Sequence, residues 1–193
     1  MSTFNIIAAT TEETVVSEYV PEKDAATDYQ SEAQLEENFI ARLVAQGYEY
    51  LTIPSETALI ENLRCQLEAL NHFTFSDAEW NRFFTQNIAG TNDGIVEKTR
   101  RIQEDHVQIL TRDDGSTKNI YLLDKKCIHN NHLQVINQYV ESGGAHETRY
   151  DVTILVNGLP LVHVELKRRG VEIREAFNQI DRYQRDSFWA SSG

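Results

Sequence analysis

The pair Asn157-Gly158, set between two runs of β-forming apolar residues, constrains this chain more than any other feature. Asparagine and glycine both tolerate the positive φ angles of a two-residue type I′ turn. Between apolar β runs they predict a tight antiparallel hairpin. The arms are residues 149–156 and 161–167. Side chains alternate faces along a strand, so Val152, Ile154 and Val156 share one face of the first arm, and Asp151, Thr153 and Leu155 the other. In the second arm Val162, Val164 and Leu166 share a face, opposite His163, Glu165 and Lys167. Asp151 lies six residues before the turn and Glu165 seven after it. An antiparallel pair brings those positions together, with Lys167 two residues further along the Glu165 face.

Two neighbouring carboxylates in a strand-rich environment repel, and their pKa values rise unless a cation sits between them. Mg²⁺ meets that need: it takes oxygen ligands, keeps several waters and favours phosphate as a co-ligand. Such an ion polarises a phosphodiester and acidifies a water. Lys167 is then placed to orient or help deprotonate the attacking water and to offset charge at phosphorus, and the carbonyl of Leu166 to complete the metal shell. The plainer alternative is a surface ion pair on an exposed sheet face. The apolar strand around each acid, the basic run Lys167-Arg168-Arg169 and the helix predicted over 171–189 favour the metal centre. On that helix Gln179 and Tyr183 stand four apart and face the same way, suited to a phosphate or nucleotide beside the scissile bond.

The rest of the chain supplies a scaffold. Residues 1–30 are polar and acidic and read as an extended arm with a short strand near 13–20. Ser31 caps a helix that ends at Gly47 and carries the stripe Leu35, Phe39, Ile40, Leu43, Val44. Residues 48–53 have strand character. Two amphipathic helices follow over 55–70 and 76–90, the second opened by the capping box Ser76-Asp77-Ala78-Glu79, then a third over 93–103. Strands are predicted at 106–110, 119–123 and 133–140, the first two joined by the turn Asp113-Asp114-Gly115-Ser116. The sum is an α/β fold, a mixed sheet flanked by helices, with an arm at 1–30 and one domain over 31–193.

Charge bears on the partner. The net charge of −12 argues against a strong nucleic-acid binder. It is unevenly spread, however: residues 1–62 hold twelve acids and two bases, while residues 149–185 hold seven bases and five acids. Two widely spaced cysteines fit a reducing cytoplasm better than a disulfide framework. No apolar run is long enough to cross a bilayer, and the N-terminus lacks the basic leader of a signal peptide.

Four strings together resemble a known family: Arg149-Tyr150-Asp151-Val152, Asn157-Gly158-Leu159-Pro160, Val164-Glu165-Leu166-Lys167 and Phe177-Asn178-Gln179-Ile180-Asp181-Arg182-Tyr183. They are similar to the N-terminal nuclease domain of the R (motor) subunit of type I restriction enzymes, in the PD-(D/E)xK superfamily. The opening helix, with Ser31-Glu32, Leu35-Glu36 and Gly47-Tyr48, fits the same family. The resemblance implies a restriction-endonuclease-like fold in which Asp151 and Glu165 bind Mg²⁺ and Lys167 is catalytic. It also implies that Gln179 and Tyr183 form a QxxxY motif, with Arg182 beside them supporting DNA binding, and that Glu36 is a further acid of the site. Tyr150 stands where the superfamily has proline. The substrate implied is double-stranded DNA, and the implied partners are the methyltransferase and specificity subunits. ATP-driven translocation belongs to the larger subunit, of which this chain reads as a fragment, because no P-loop occurs here.

Two other readings compete: a non-catalytic docking or DNA-guiding module, and a repair or resolvase nuclease of the same superfamily. Cys127-x-His129-x-x-His132 offers three zinc-ligand types but lacks the second pair that a structural site needs. His163 shares the face of Glu165 and reads as an ordinary strand residue.

Overall fold

A computed structural model describes residues 3–9, 15–20, 31–90, 95–141 and 148–168. The chain divides into two compact units, Met1–Gln30 and Ser31–Gly193. In the first, β1 (Thr3–Ala9) pairs antiparallel with β2 (Val15–Val20), Thr3 opposite Val20 and Ala9 opposite Val15. The strand near 13–20 was expected. Its partner was not, because Phe4-Asn5-Ile6-Ile7-Ala8-Ala9 shows no alternation and no Asn-Gly turn joins the two.

The second unit opens with α1 (Glu32–Ala45), capped by Ser31 in a reciprocal box with Gln34. After β3 (Glu49–Tyr50) come α2 (Glu56–Asn71), α3 (Asp77–Phe83), a π-helical stretch Phe84–Ile88 and α4 (Ile95–Gln103). The hairpin β4 (Val107–Thr111) and β5 (Thr117–Tyr121) follows, then β6 (Leu133–Glu141), β7 (Thr148–Val156) and β8 (Leu159–Val164). The helix expected over 76–90 is α-helical only to Phe83 before widening into the π turn.

The central sheet runs β3-β6-β7-β8. It is mixed: β3 lies parallel to β6, and the other pairs are antiparallel. Strand alternation sends Val135 and Val152 to one face, where Phe39, Ile40 and Leu43 of α1 cover them. The opposite face carries Ile136 and Leu155 and meets α2 through Leu59, Leu63 and Leu67, all fully buried at helical spacing. Helices therefore flank the sheet on both sides. The expected stripe on α1 is narrower than predicted, since Val44 is exposed. Phe75, Trp80, Phe83 and Phe84 extend the α2 side of the core. At its margin buried Glu79 accepts from Arg112 Nε at 2.6 Å and from the Ser76 amide at 3.0 Å. Among the described residues no helix is long and apolar enough to cross a membrane.

Candidate active site

The hairpin that carries the acids is fixed at its turn. Asn157 and Gly158 have φ of +52° and +79°, the type I′ signature expected from the sequence. Asn157 is buried and fully employed. Its Nδ2 donates to Leu122 O at 3.1 Å and Asn131 Oδ1 at 2.8 Å, and its Oδ1 accepts from the His132 amide at 2.8 Å. Gly158 packs so closely on α2 that a Cβ there would lie 2.6 Å from Leu63 Cα.

From the turn outward the register begins Val156↔Leu159, Leu155↔Pro160, then resumes as Ile154↔Val162, Thr153↔His163, Val152↔Val164. Leu161 is the extra residue of a β-bulge. It absorbs the difference between six residues on one arm and seven on the other, and the register ends at Val152↔Val164, one step before Asp151 and Glu165, whose carboxyl groups are neighbours. Without the bulge Asp151 would oppose Val164, and Glu165 would project from the other face. The sequence predicted the neighbours; the bulge that gives them one face carries no signature in the sequence.

Just past β8 the Leu166 amide donates to Asp151 Oδ2 at 2.9 Å. Lys167 Nζ donates to Glu165 Oε1 at 2.5 Å. The Glu165 side chain is only 3% exposed. Burial and the adjacent Asp151 raise its pKa above the usual glutamate value, and Lys167 opposes the rise. Burial works against the charge on Lys167, but Glu165, Asp151 and Glu32 outweigh it and hold the ammonium above its ordinary pKa. Glu32 also accepts the Arg168 amide at 3.3 Å, which draws the first turn of α1 to this segment.

One turn along α1 from Glu32, Glu36 meets strand β6. Asn137 Nδ2 donates to its Oε1 at 2.5 Å and Gln138 Nε2 to its Oε2. Gln138, at φ +52°, was not singled out in the sequence, and no residue pattern there announces a left-handed strand position. His163 stacks on buried Tyr150, ring centroids 4.3 Å apart, and shares a hydrogen bond with Thr153 Oγ1. Gln179, Arg182 and Tyr183, and the helix expected over 171–189, lie outside the described residues.

The donor chemistry suits a hard divalent cation that takes few protein ligands. Asp151, on β7, and Glu165, just past β8, offer neighbouring carboxylate oxygens, and the burial that raises the Glu165 pKa would be offset by a bound positive charge. Among the described residues no three His, Cys, Asp or Glu side chains converge to hold an ion on their own. The Cys127–His132 segment forms no such group either: Asp124 there accepts the amides of Lys126 and Cys127, while His132 Nδ1 pairs with Gln66 Oε1 at 2.7 Å.

Known proteins share this sequence. The chain is 52% identical over 175 residues to the Escherichia coli protein named "Type I restriction enzyme EcoprrI endonuclease subunit", covering 90% of the chain and 56% of that protein. It is 41% identical over 165 residues to proteins named as type I restriction enzyme endonuclease subunits from Staphylococcus saprophyticus and Staphylococcus aureus, covering 83% of the chain and 17% of each of theirs. The chain thus spans about half of the first relative and a sixth of the others. The family described as "Type I restriction enzyme R protein N terminus" matches residues 29–192, which take in all of the hairpin, the acid pair and α1, and the chain belongs to that family.

Proposed function

We propose that the chain is the Mg²⁺-dependent endonuclease domain of a type I restriction enzyme, with residues 31–193 as the nuclease domain and DNA phosphodiesters as substrate. The observation that carries this reading is the bulged register that sets Asp151 against Glu165 within reach of Lys167. Asp151 and Glu165 would hold the ion, with the Leu166 carbonyl as a further ligand. When bound, the ion polarises the scissile phosphate and lowers the pKa of a water. The chain's own part is to orient and to move a proton. The Leu166 amide fixes the Asp151 carboxylate through Oδ2, and its other oxygen would be the one available to the ion. Lys167, kept charged by its acidic neighbours, stabilises negative charge as it grows on the phosphate and orients the attacking water. Glu36 is a further acid at the edge of the site, and Gln179, Tyr183 and Arg182 would contact the DNA.

The names of the relatives support a restriction role, and their greater length supports a parent subunit in which other domains use ATP to move DNA. Methyltransferase and specificity subunits would choose the site, in the cytoplasm. The test is Asp151→Ala and Lys167→Ala in the full-length subunit assembled with its partners. Both variants should leave DNA-stimulated ATP hydrolysis intact and abolish cleavage of circular DNA. Cleavage that survives either change, with normal ATP hydrolysis, would make the domain a docking or DNA-guiding module instead.

A further inference from the structure

Glu36 is gripped in a way that a regular strand does not allow. Asn137 and Gln138 are adjacent, so in regular β structure their side chains would point to opposite faces. Here both amides donate to the same carboxylate. The left-handed backbone of Gln138 accounts for this, and it disturbs the strand beyond. Tyr139 and Tyr150 join the core on the α2 side, where continued alternation from Asn137 would have sent them towards α1. The ladder steps over the same place: Asn137↔Val152 and Tyr139↔Tyr150 are paired, and between them stand Gln138 and Asp151. A non-glycine residue pays for this conformation, and nothing in the sheet pairing requires it. Strain of this kind collects where a side chain must be held for function.

The Gln138 amide is also only half satisfied. Its nitrogen is bound to Glu36, but among the described residues its buried Oε1 has no hydrogen-bond partner. A buried acceptor without a donor is destabilising and uncommon. A hydrated divalent ion next to Asp151 brings donors of the missing kind. The clamp is braced from behind by Tyr50, whose hydroxyl donates to Asn137 Oδ1 at 2.8 Å.

We infer that Gln138 is a positioning residue of the cation site: its strained backbone, held by Glu36 at the strand position across from Asp151, leaves its amide oxygen to accept a hydrogen bond from the hydration water of the ion. This rests on the metal-centre reading above. The test measures Mn²⁺ binding to this chain by electron paramagnetic resonance, with Mg²⁺ as competitor, alongside thermal melting without metal. Gln138→Gly relieves the backbone and removes the amide. Gln138→Asn keeps a residue tolerant of positive φ but shortens its reach. Both should fold with a midpoint at or near that of the parent and bind Mn²⁺ roughly tenfold more weakly, the scale expected for a residue acting through a ligand shell. Glu36→Gln should weaken binding as well, and combining it with Gln138→Gly should add little. A folded Gln138 variant that binds like the parent, or loss of affinity that only follows loss of melting temperature, would overturn the inference. Asp151→Asn separates the two readings. If it leaves binding intact, the metal centre itself is misassigned; if it abolishes binding while the Gln138 variants do not, only the positioning role fails.

Discussion

Replacing Gly158 by alanine tests the anchor of the whole site. The new methyl would stand 2.6 Å from Leu63 Cα and 3.1 Å from Leu63 N, both backbone atoms of a fully buried residue of α2. Carbon atoms pack at about 3.5–4.0 Å, so turn and helix must part by about 1 Å. Overpacking of this kind costs about 1–3 kcal/mol. The left-handed backbone adds about 1–2 kcal/mol for any residue with a Cβ. The sum is roughly 2–5 kcal/mol against a total stability of about 5–15 kcal/mol for a domain. For a domain of this size that corresponds to a fall of roughly 4–20 °C in Tm. Gly115→Ala is the matched control. Gly115 has a φ of +81° but open space around its Cβ position, so it should show the backbone cost alone. Urea unfolding of both variants, followed by circular dichroism, gives the difference directly. If Gly158→Ala is no more costly than Gly115→Ala, the close approach of turn to helix does not hold the hairpin, and the packing argument fails.

Two further outcomes follow from the site. Because the Glu165 pKa is raised above 4.5 by burial and by Asp151, protons compete with the cation at a higher pH than for an ordinary glutamate. In the linkage, a raised carboxylate favours the fold below its unfolded pKa, and that contribution is lost as pH rises through the folded value. Mg²⁺ should therefore raise Tm more at about pH 8 than at about pH 5, and as the pH is lowered Mn²⁺ affinity should already be falling before pH 4.5 is reached; affinity that stays flat down to that pH would refute the shift. Deleting Leu161 should preserve Mn²⁺ binding, because five residues then separate each acid from the turn and an unbulged hairpin can bring Asp151 opposite Glu165. Loss of binding in a folded deletion variant would show that the bulge does more than set the register.

Much of this was open to reading in the chain itself, for local reasons. Ser31 and Ser76 announce helices because a hydroxyl three residues before a glutamine or glutamate satisfies free amides at a helix start. Asn157-Gly158 announces its turn because few other residue pairs adopt positive φ twice. The acids and lysine followed from counting outward from that turn. What escaped depends on contacts between distant segments. The Leu161 bulge is a choice between two registers that the sequence alone leaves nearly equal. The left-handed Gln138 is selected by Glu36, a partner 102 residues away. The π-helical stretch after Phe83, in which Asn87 donates to Gln108 of β4, has no signature in its sequence, and β1 lacked a pattern of its own.

The grip of Asn137 and Gln138 on Glu36 also has a meaning in time. The two halves of that contact are separated by 101 and 102 residues, and the acid pair is completed only when Glu165 and Lys167 follow. During synthesis α1 is therefore made early, and its acid is held only once β6 has emerged. The acid pair follows later still, with the second arm of the hairpin, so the two parts of the candidate site are laid down at different times.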